Sequence, residues 1–192
     1  MPTLTLRHFA RRRTLAPFAV AFAGCAAEPA TAPGPAPVAR SVSAAPGTPS
    51  AAEVRHVAAT RRRLERAAAG LLYMSESDYP FDFVAAPAGL PRRTPGPLDE
   101  AGFRAAFAIP PDAPVEFVPL DEFFARHIER VDPADRTARR LVPRYRALRR
   151  TVGAVTHATR VYRVGHVQIR CYLVGADAWG NVVGLATTAI ET

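Results

Sequence analysis

An α+β sandwich, with helices packed on a sheet that ends in a C-terminal antiparallel meander, is the fold class this sequence predicts. Three observations predict it. Residues 51–72 carry apolar side chains at helical spacing with arginines on the other face. Residues 161–190 hold three β-rich runs separated by turn residues. Helices come first and strands last, the order of an α+β chain rather than of alternating βαβ units.

The first fifty residues are read as outside the fold. Arg11, Arg12 and Arg13 precede a short apolar run, Leu15 to Ala23, and then Gly24-Cys25. A basic stretch, a short apolar stretch and a small-residue zone make the layout of a secretory signal over residues 1–24. The apolar run is about half of the ~20 residues a spanning helix needs. Phe22-Ala23-Gly24-Cys25 resembles the lipobox of bacterial lipoproteins, which implies lipidation of Cys25 and an exported, membrane-anchored protein of the cell envelope or periplasm. Residues 25–50 are mostly Ala, Pro, Ser, Thr and Gly, too poor in large apolar groups to offset ordering entropy, and are expected to form a disordered tether.

The domain is expected over residues 51–192. Ser50-Ala-Ala-Glu53 is a capping box that opens a helix, and Gly70 stands near its end. Residues 73–82 read as a turn-rich loop and Phe81–Ala86 as a strand. Pro87, Pro91, Pro95 and Pro97 mark a surface loop ahead of a short helix from Asp99 to Phe107. Val115–Pro119 reads as a strand and Asp121–Ile128 as a helix. Asp132-Pro133 offers an N-cap and an N1 proline for a long basic helix, which Pro143 is expected to kink or interrupt. In the last third, Val161–Val164, Val167–Val174 and Val182–Ile190 read as strands. Val167, Ile169, Cys171 and Leu173 alternate with polar neighbours, as in a strand with one face on a core.

Charge points in a different direction from the motifs. The chain of 192 residues has 25 basic and 17 acidic side chains, a formal net charge of +8, and every basic one is arginine. Such a balance suggests a nucleic-acid or anionic-membrane partner. Cleavage before Cys25 would remove Arg7, Arg11, Arg12 and Arg13 and no acid, leaving 21 against 17, or +4. The arginine clusters Arg61–Arg63, Arg139–Arg140 and Arg149–Arg150 lack the interleaved aromatics that stack on bases, which argues against direct nucleic-acid binding. Two cysteines are too few for a disulfide framework. No phosphate-binding glycine motif and no Cys/His zinc cluster is present, and His56, His127, His157 and His166 are scattered, as structural or solvated histidines are.

The segment that concentrates chemistry is Leu71–Phe81, with Ser75, Glu76, Ser77 and Asp78 between apolar flanks. Two carboxylates two residues apart can hold a metal or share acid–base work, but no third ligand is placed to complete such a site. The same groups can satisfy backbone groups in a turn, or present a carboxylate to a basic partner. Trp179, in the turn Asp177-Ala-Trp-Gly-Asn181, is either a cap over the sheet edge or an exposed contact.

Leu71–Phe81 resembles the signature segment of the NuiA-like nuclease A inhibitor family, with Asp78 where that segment carries glutamate. The likeness returns at Val118–Phe124 and is strongest at Val161–Val167, Tyr172–Gly175, Gly180-Asn181 and Ala189–Thr192. It spans about residues 53–192. The resemblance implies an α/β/α sandwich and a non-enzymatic, cofactor-free and monomeric inhibitor of a DNA/RNA non-specific endonuclease of the ββα-metal type. It further implies that Glu76 pairs with an arginine in the nuclease active site and that Thr192 reaches the partner's magnesium. Ser75, Ser77, Asp78 and Trp179 join these as candidate contact residues; the inhibitor holds no metal of its own. The alternative is an envelope lipoprotein whose domain of this type binds a different protein.

Overall fold

The structure, a computed structural model, describes residues 48–87 and 96–192. Helix α1, Ala51–Ala68, begins where the capping box predicts, with the Ser50 hydroxyl accepting from the Glu53 N–H at 3.1 Å. Gly70 follows at φ +66°, the left-handed turn that ends a helix without the cost of a Cβ. The chain then folds into a hairpin of β1, Leu72–Met74, and β2, Asp78–Pro80. This corrects the loop expected over 73–82. The hairpin forms because Tyr73 and Phe81 are buried, which fixes its register against the helices.

Strand β3, Asp82–Ala85, is followed by α2, Glu100–Phe107, whose Asp99 cap accepts from the Gly102 N–H at 2.9 Å. Strand β4, Val115–Val118, leads into α3, Leu120–Ile128. The long basic helix α4 spans Arg136–Val155, and its start corrects the sequence expectation. Asp135, not Asp132, is the cap: its carboxylate takes the N–H groups of Thr137 and Ala138 at 2.9 Å each. Asp132 instead closes a local turn, accepting from Ala134. Pro143 lies within one uninterrupted helix. It sits on the exposed side, while Tyr145, Leu148 and Val152 anchor the opposite side in the core and hold the helix across the missing N–H.

Strands β5, His157–Val164, β6, Gln168–Ala176, and β7, Val182–Ile190, complete the chain. β5 starts four residues earlier than the sequence suggests, because a bulge with Ala158 at φ +51° extends the pairing. The main sheet is antiparallel, ordered β3-β7-β6-β5-β4. Its two faces have different partners. Val161, Ile169, Cys171, Leu173, Leu185 and Ala189 meet side chains of α1, α3 and α4. The alternate residues Tyr162, Val174 and Val182 meet Leu98 and Phe103 of the α2 segment, with Phe103 stacked on Tyr162 at 4.0 Å. The arrangement is mixed α+β with helices on both faces of the sheet, an α/β/α sandwich.

Two sequence expectations for β6 are corrected by this arrangement. It is buried on both faces over much of its length, and Val167, expected in the core, is exposed in the turn before it. Central β7 is buried from Val182 to Ala189. Its Gly184 lies so close to β6 that a Cβ there would stand 1.9 Å from the Leu173 carbonyl oxygen. A central strand whose last residue is also near the chain end delivers that end, by construction, to one edge of the sandwich. The N-terminal readings, the signal over 1–24, Cys25 and most of the tether, fall outside the described residues.

Candidate functional site

The β1 strand is fastened by side chains rather than by a further strand. Tyr73 stacks on Phe123 of α3 with ring centroids 4.6 Å apart. The His127 Nε2 accepts the Met74 N–H at 3.0 Å, Arg126 donates to the Met74 carbonyl at 3.2 Å, and the Tyr145 hydroxyl donates to the Leu72 carbonyl at 2.6 Å. Because Nε2 accepts, the His127 proton must sit on Nδ1. The ring is 1% exposed, and burial, reinforced by the neighbouring Arg126 charge, pushes its pKa down to about 4. His127 is a neutral peg that fixes the backbone immediately ahead of Ser75.

The turn beyond Met74 is then tied to the C-terminus. Ser75 Oγ donates to the Ser77 carbonyl at 2.7 Å and accepts the Ile190 N–H at 3.0 Å. The Glu76 N–H donates to the Ile190 carbonyl at 3.2 Å. One residue on, the Glu191 N–H donates to Val167, and its carboxylate accepts from Arg163 at 2.5 Å. Arg163 is also 3.7 Å from Glu116 on β4. The terminal residue has few positions left: the Thr192 N–H and hydroxyl both donate to Glu76 Oε1, at 2.9 and 2.8 Å.

The structure therefore brings together two residues 116 positions apart that the sequence singled out separately. The Thr192 hydroxyl first, and its backbone N–H second, hold the Glu76 carboxyl below the usual carboxylate range. Glu76 is anionic at neutral pH and exposed, with one oxygen occupied by Thr192. Beside it lies an open groove of about 320 Å³ lined by Met74, Ser75, Glu76, Arg126, Ile190 and Glu191. Such an edge offers oxygen acceptors and one guanidinium side by side, groups able to pair with charges of either sign.

The other candidates are placed differently. Ser77 is exposed in the same turn, and Asp78 is exposed at the start of β2, opposite Met74 in the hairpin. Trp179 is not at this edge. It precedes Val182, at the far end of a nine-residue strand, roughly 25 Å away at ~3.3 Å per residue. There it is 36% exposed and its ring lies tilted against that of His56 with centroids 5.7 Å apart, above a turn built on buried Asp177, which accepts from the Trp179 and Asn181 N–H groups. Cys25 lies outside the described residues. Sequence reasoning missed Arg126, His127, Arg163 and Glu191, which build the site from behind. His127 carried one available signal, its place among buried Phe123, Phe124 and Ile128 on the core side of α3. Among the described residues no group of three His, Cys, Asp or Glu side chains is arranged to hold a metal ion.

Fold and edge together define a domain that offers a preorganised acidic lip formed by an internal turn and the chain's own terminus. The sequence profile of nuclease A inhibitor-like proteins (NuiA) matches residues 58–192. That is most of the chain, which belongs to this family. No curated protein matches it.

Proposed function

We propose that the domain inhibits a sugar-non-specific nuclease of the ββα-metal type by inserting the Glu76–Thr192 lip into its active site. The observation that carries this reading is the double hydrogen bond from Thr192 to Glu76 Oε1. It leaves the second Glu76 oxygen free for a bidentate-capable arginine of the partner, which would otherwise hold a substrate phosphate. The Thr192 hydroxyl spends its proton on Glu76, so its lone pairs and the terminal carboxylate are available to a hard cation. Magnesium in a nuclease site favours such oxygen donors and keeps positions open for substrate. The lip thus copies the charge and donor pattern of a bound phosphate without a bond that can be cleaved, and the domain acts by binding rather than catalysis.

The partner is a nuclease protein, the inhibitor is monomeric, and export with lipidation at Cys25 would place both in the cell envelope. The net basic balance, +4 once residues 1–24 are removed, opposes docking in a basic nuclease cleft and supports a second reading, in which an envelope lipoprotein uses a domain of this type to bind a different protein. Inhibition assays on a purified ββα-metal nuclease separate the two. Glu76→Gln keeps the Thr192 contacts but removes the charge, and should weaken inhibition by on the order of 100-fold, as for a charged pair losing one member. Deleting Thr192 should be at least as damaging while the far-ultraviolet circular dichroism stays unchanged. Full inhibition by both variants would sink the proposed mode. Lipid labelling of Cys25 is tested by Cys25→Ser: incorporation of radiolabelled palmitate that survives the change rules that cysteine out.

A further inference from the structure

A second surface of the domain has a chemistry opposite to the lip. Helices α1 and α4 pack side by side on the same face of the sheet. On α1 the core side is set by Thr60, Leu64 and Ala68, and Arg55, Arg62 and Arg66 fall opposite it at positions i, i+7 and i+11. On α4 the core side is set by Tyr145, Leu148 and Val152, and Arg139, Arg146 and Arg150 fall opposite it with the same i, i+7, i+11 spacing. All six are exposed, and none is paired with a carboxylate among the described residues. The arginines that are paired lie on the flanks: Arg61 with Glu65, and Arg149 with Asp121 and Glu129. Helix α4 contains no acidic residue.

From this we infer that the α1–α4 face is a docking surface for an anionic phospholipid bilayer. Two helices in contact put their axes about 8–10 Å apart. Eleven residues cover about 16 Å of helix. Each helix thus carries a row of three exposed guanidinium groups on its outer side, with the two rows on neighbouring helices, an arrangement that suits a surface of many phosphate headgroups. Guanidinium groups suit phosphate because their planar fork can donate two hydrogen bonds. Nucleic acid offers phosphate as well, but the one aromatic ring on these helices besides His56, Tyr145, is buried, so the face presents no Phe, Tyr or Trp ring on which bases could stack. Among the described residues no helix is long and apolar enough to cross a membrane, so the contact is peripheral. The chain enters α1 at Ser50, 25 residues after Cys25, and a stretch of that length reaches at most about 85 Å. A lipid at Cys25 would keep the face within reach of the bilayer, and two weak membrane signals together hold where one does not.

This surface is independent of the inhibition reading, since it lies on the outer side of the helical layer and uses none of the lip residues. The test is co-sedimentation of the full chain, without lipid modification, with vesicles of phosphatidylcholine alone and of phosphatidylcholine with one-third phosphatidylglycerol. Binding is expected only to the anionic vesicles and should fall with added salt. The quadruple variant Arg62→Gln, Arg66→Gln, Arg146→Gln, Arg150→Gln should lose on the order of several hundred-fold in partitioning, at about fivefold per arginine. Arg61→Gln, whose parent is already paired, should change it by less than about threefold. The N-terminal arginines are common to every variant and cancel in the comparison. Equal partitioning of the quadruple variant and the parent would overturn the proposal. So would binding of the same arginines to duplex DNA under salt at which the vesicles are ignored, which would assign the face to nucleic acid.

Discussion

Replacing His127 by glutamine isolates one titration that the fold creates. In the parent, the buried ring accepts the Met74 N–H and its pKa is lowered from 6.5 to about 4. In the unfolded chain it takes a proton near 6.5. Because the folded pKa is the lower one, the unfolded state binds more protons between these values, and stability falls as pH drops from 6.5 to about 4. Above 6.5 the contribution is complete; below about 4 both states are protonated and no more is lost. At about 1.4 kcal/mol per tenfold change in proton affinity, the interval corresponds to about 3 kcal/mol. Glutamine retains an acceptor oxygen for Met74 but cannot titrate. Urea unfolding of parent and His127→Gln at pH 7, 5.5 and 4 is the assay. The carboxylates titrate in both proteins, so the difference between the two curves reports His127 alone. The parent should lose about 2–3 kcal/mol more than the variant between pH 7 and 4. Parallel losses would refute the neutral-peg account. Inhibition should follow the same trend, since the peg fixes the strand that leads into Ser75 and Glu76.

Further expectations concern the frame of the lip and the core. Arg163→Met frees Glu191 to solvent; because Glu191 and Glu116 are partly exposed, the melting temperature should move by only a few degrees, while inhibition weakens about tenfold through a loosened Thr192. A potency equal to the parent's would show that the terminus needs no such anchor. Cys171 is fully buried and its thiol is pushed up to about 12, chiefly by desolvation, so it should resist iodoacetamide in the native protein and react only on unfolding. Rapid native-state alkylation would contradict the placement of β6. Gly184→Ala drives a Cβ into the β6 backbone and should cost more than about 3 kcal/mol, read as loss of cooperative unfolding; a stable variant would mean that β6 and β7 are not so closely paired.

Local signals were legible wherever the physical cause was local. Ser50 and Asp99 mark helix starts because a short side-chain oxygen reaches the N–H three residues on, and nothing distant interferes. The strands of the last third were legible from β-branched residues and alternation. The hairpin at 72–80 was not, because its strands are three residues each and are held by Tyr145, Arg126 and His127 from helices that arrive later in the chain. Pro143 does not interrupt its helix for a similar reason: one lost hydrogen bond is outweighed by the packing of Tyr145, Leu148 and Val152. The Asp132-Pro133 pair also fitted a helix start, and only the placement of Asp135 against two N–H groups decided between them.

By itself the sequence determined the class of fold and the family likeness, and it singled out Glu76 and Thr192 as candidates, since these rest on residue type and order along the chain. Tertiary structure alone decided that those two residues touch. Their contact depends on β7 running between β3 and β6, on Arg163 reaching Glu191, and on His127 and Ser75 fixing the turn, interactions between residues far apart in sequence. No periodicity records such a meeting. The same holds for the two arginine rows: each is visible on its own helix, but only the packing of α1 against α4 brings them onto neighbouring helices.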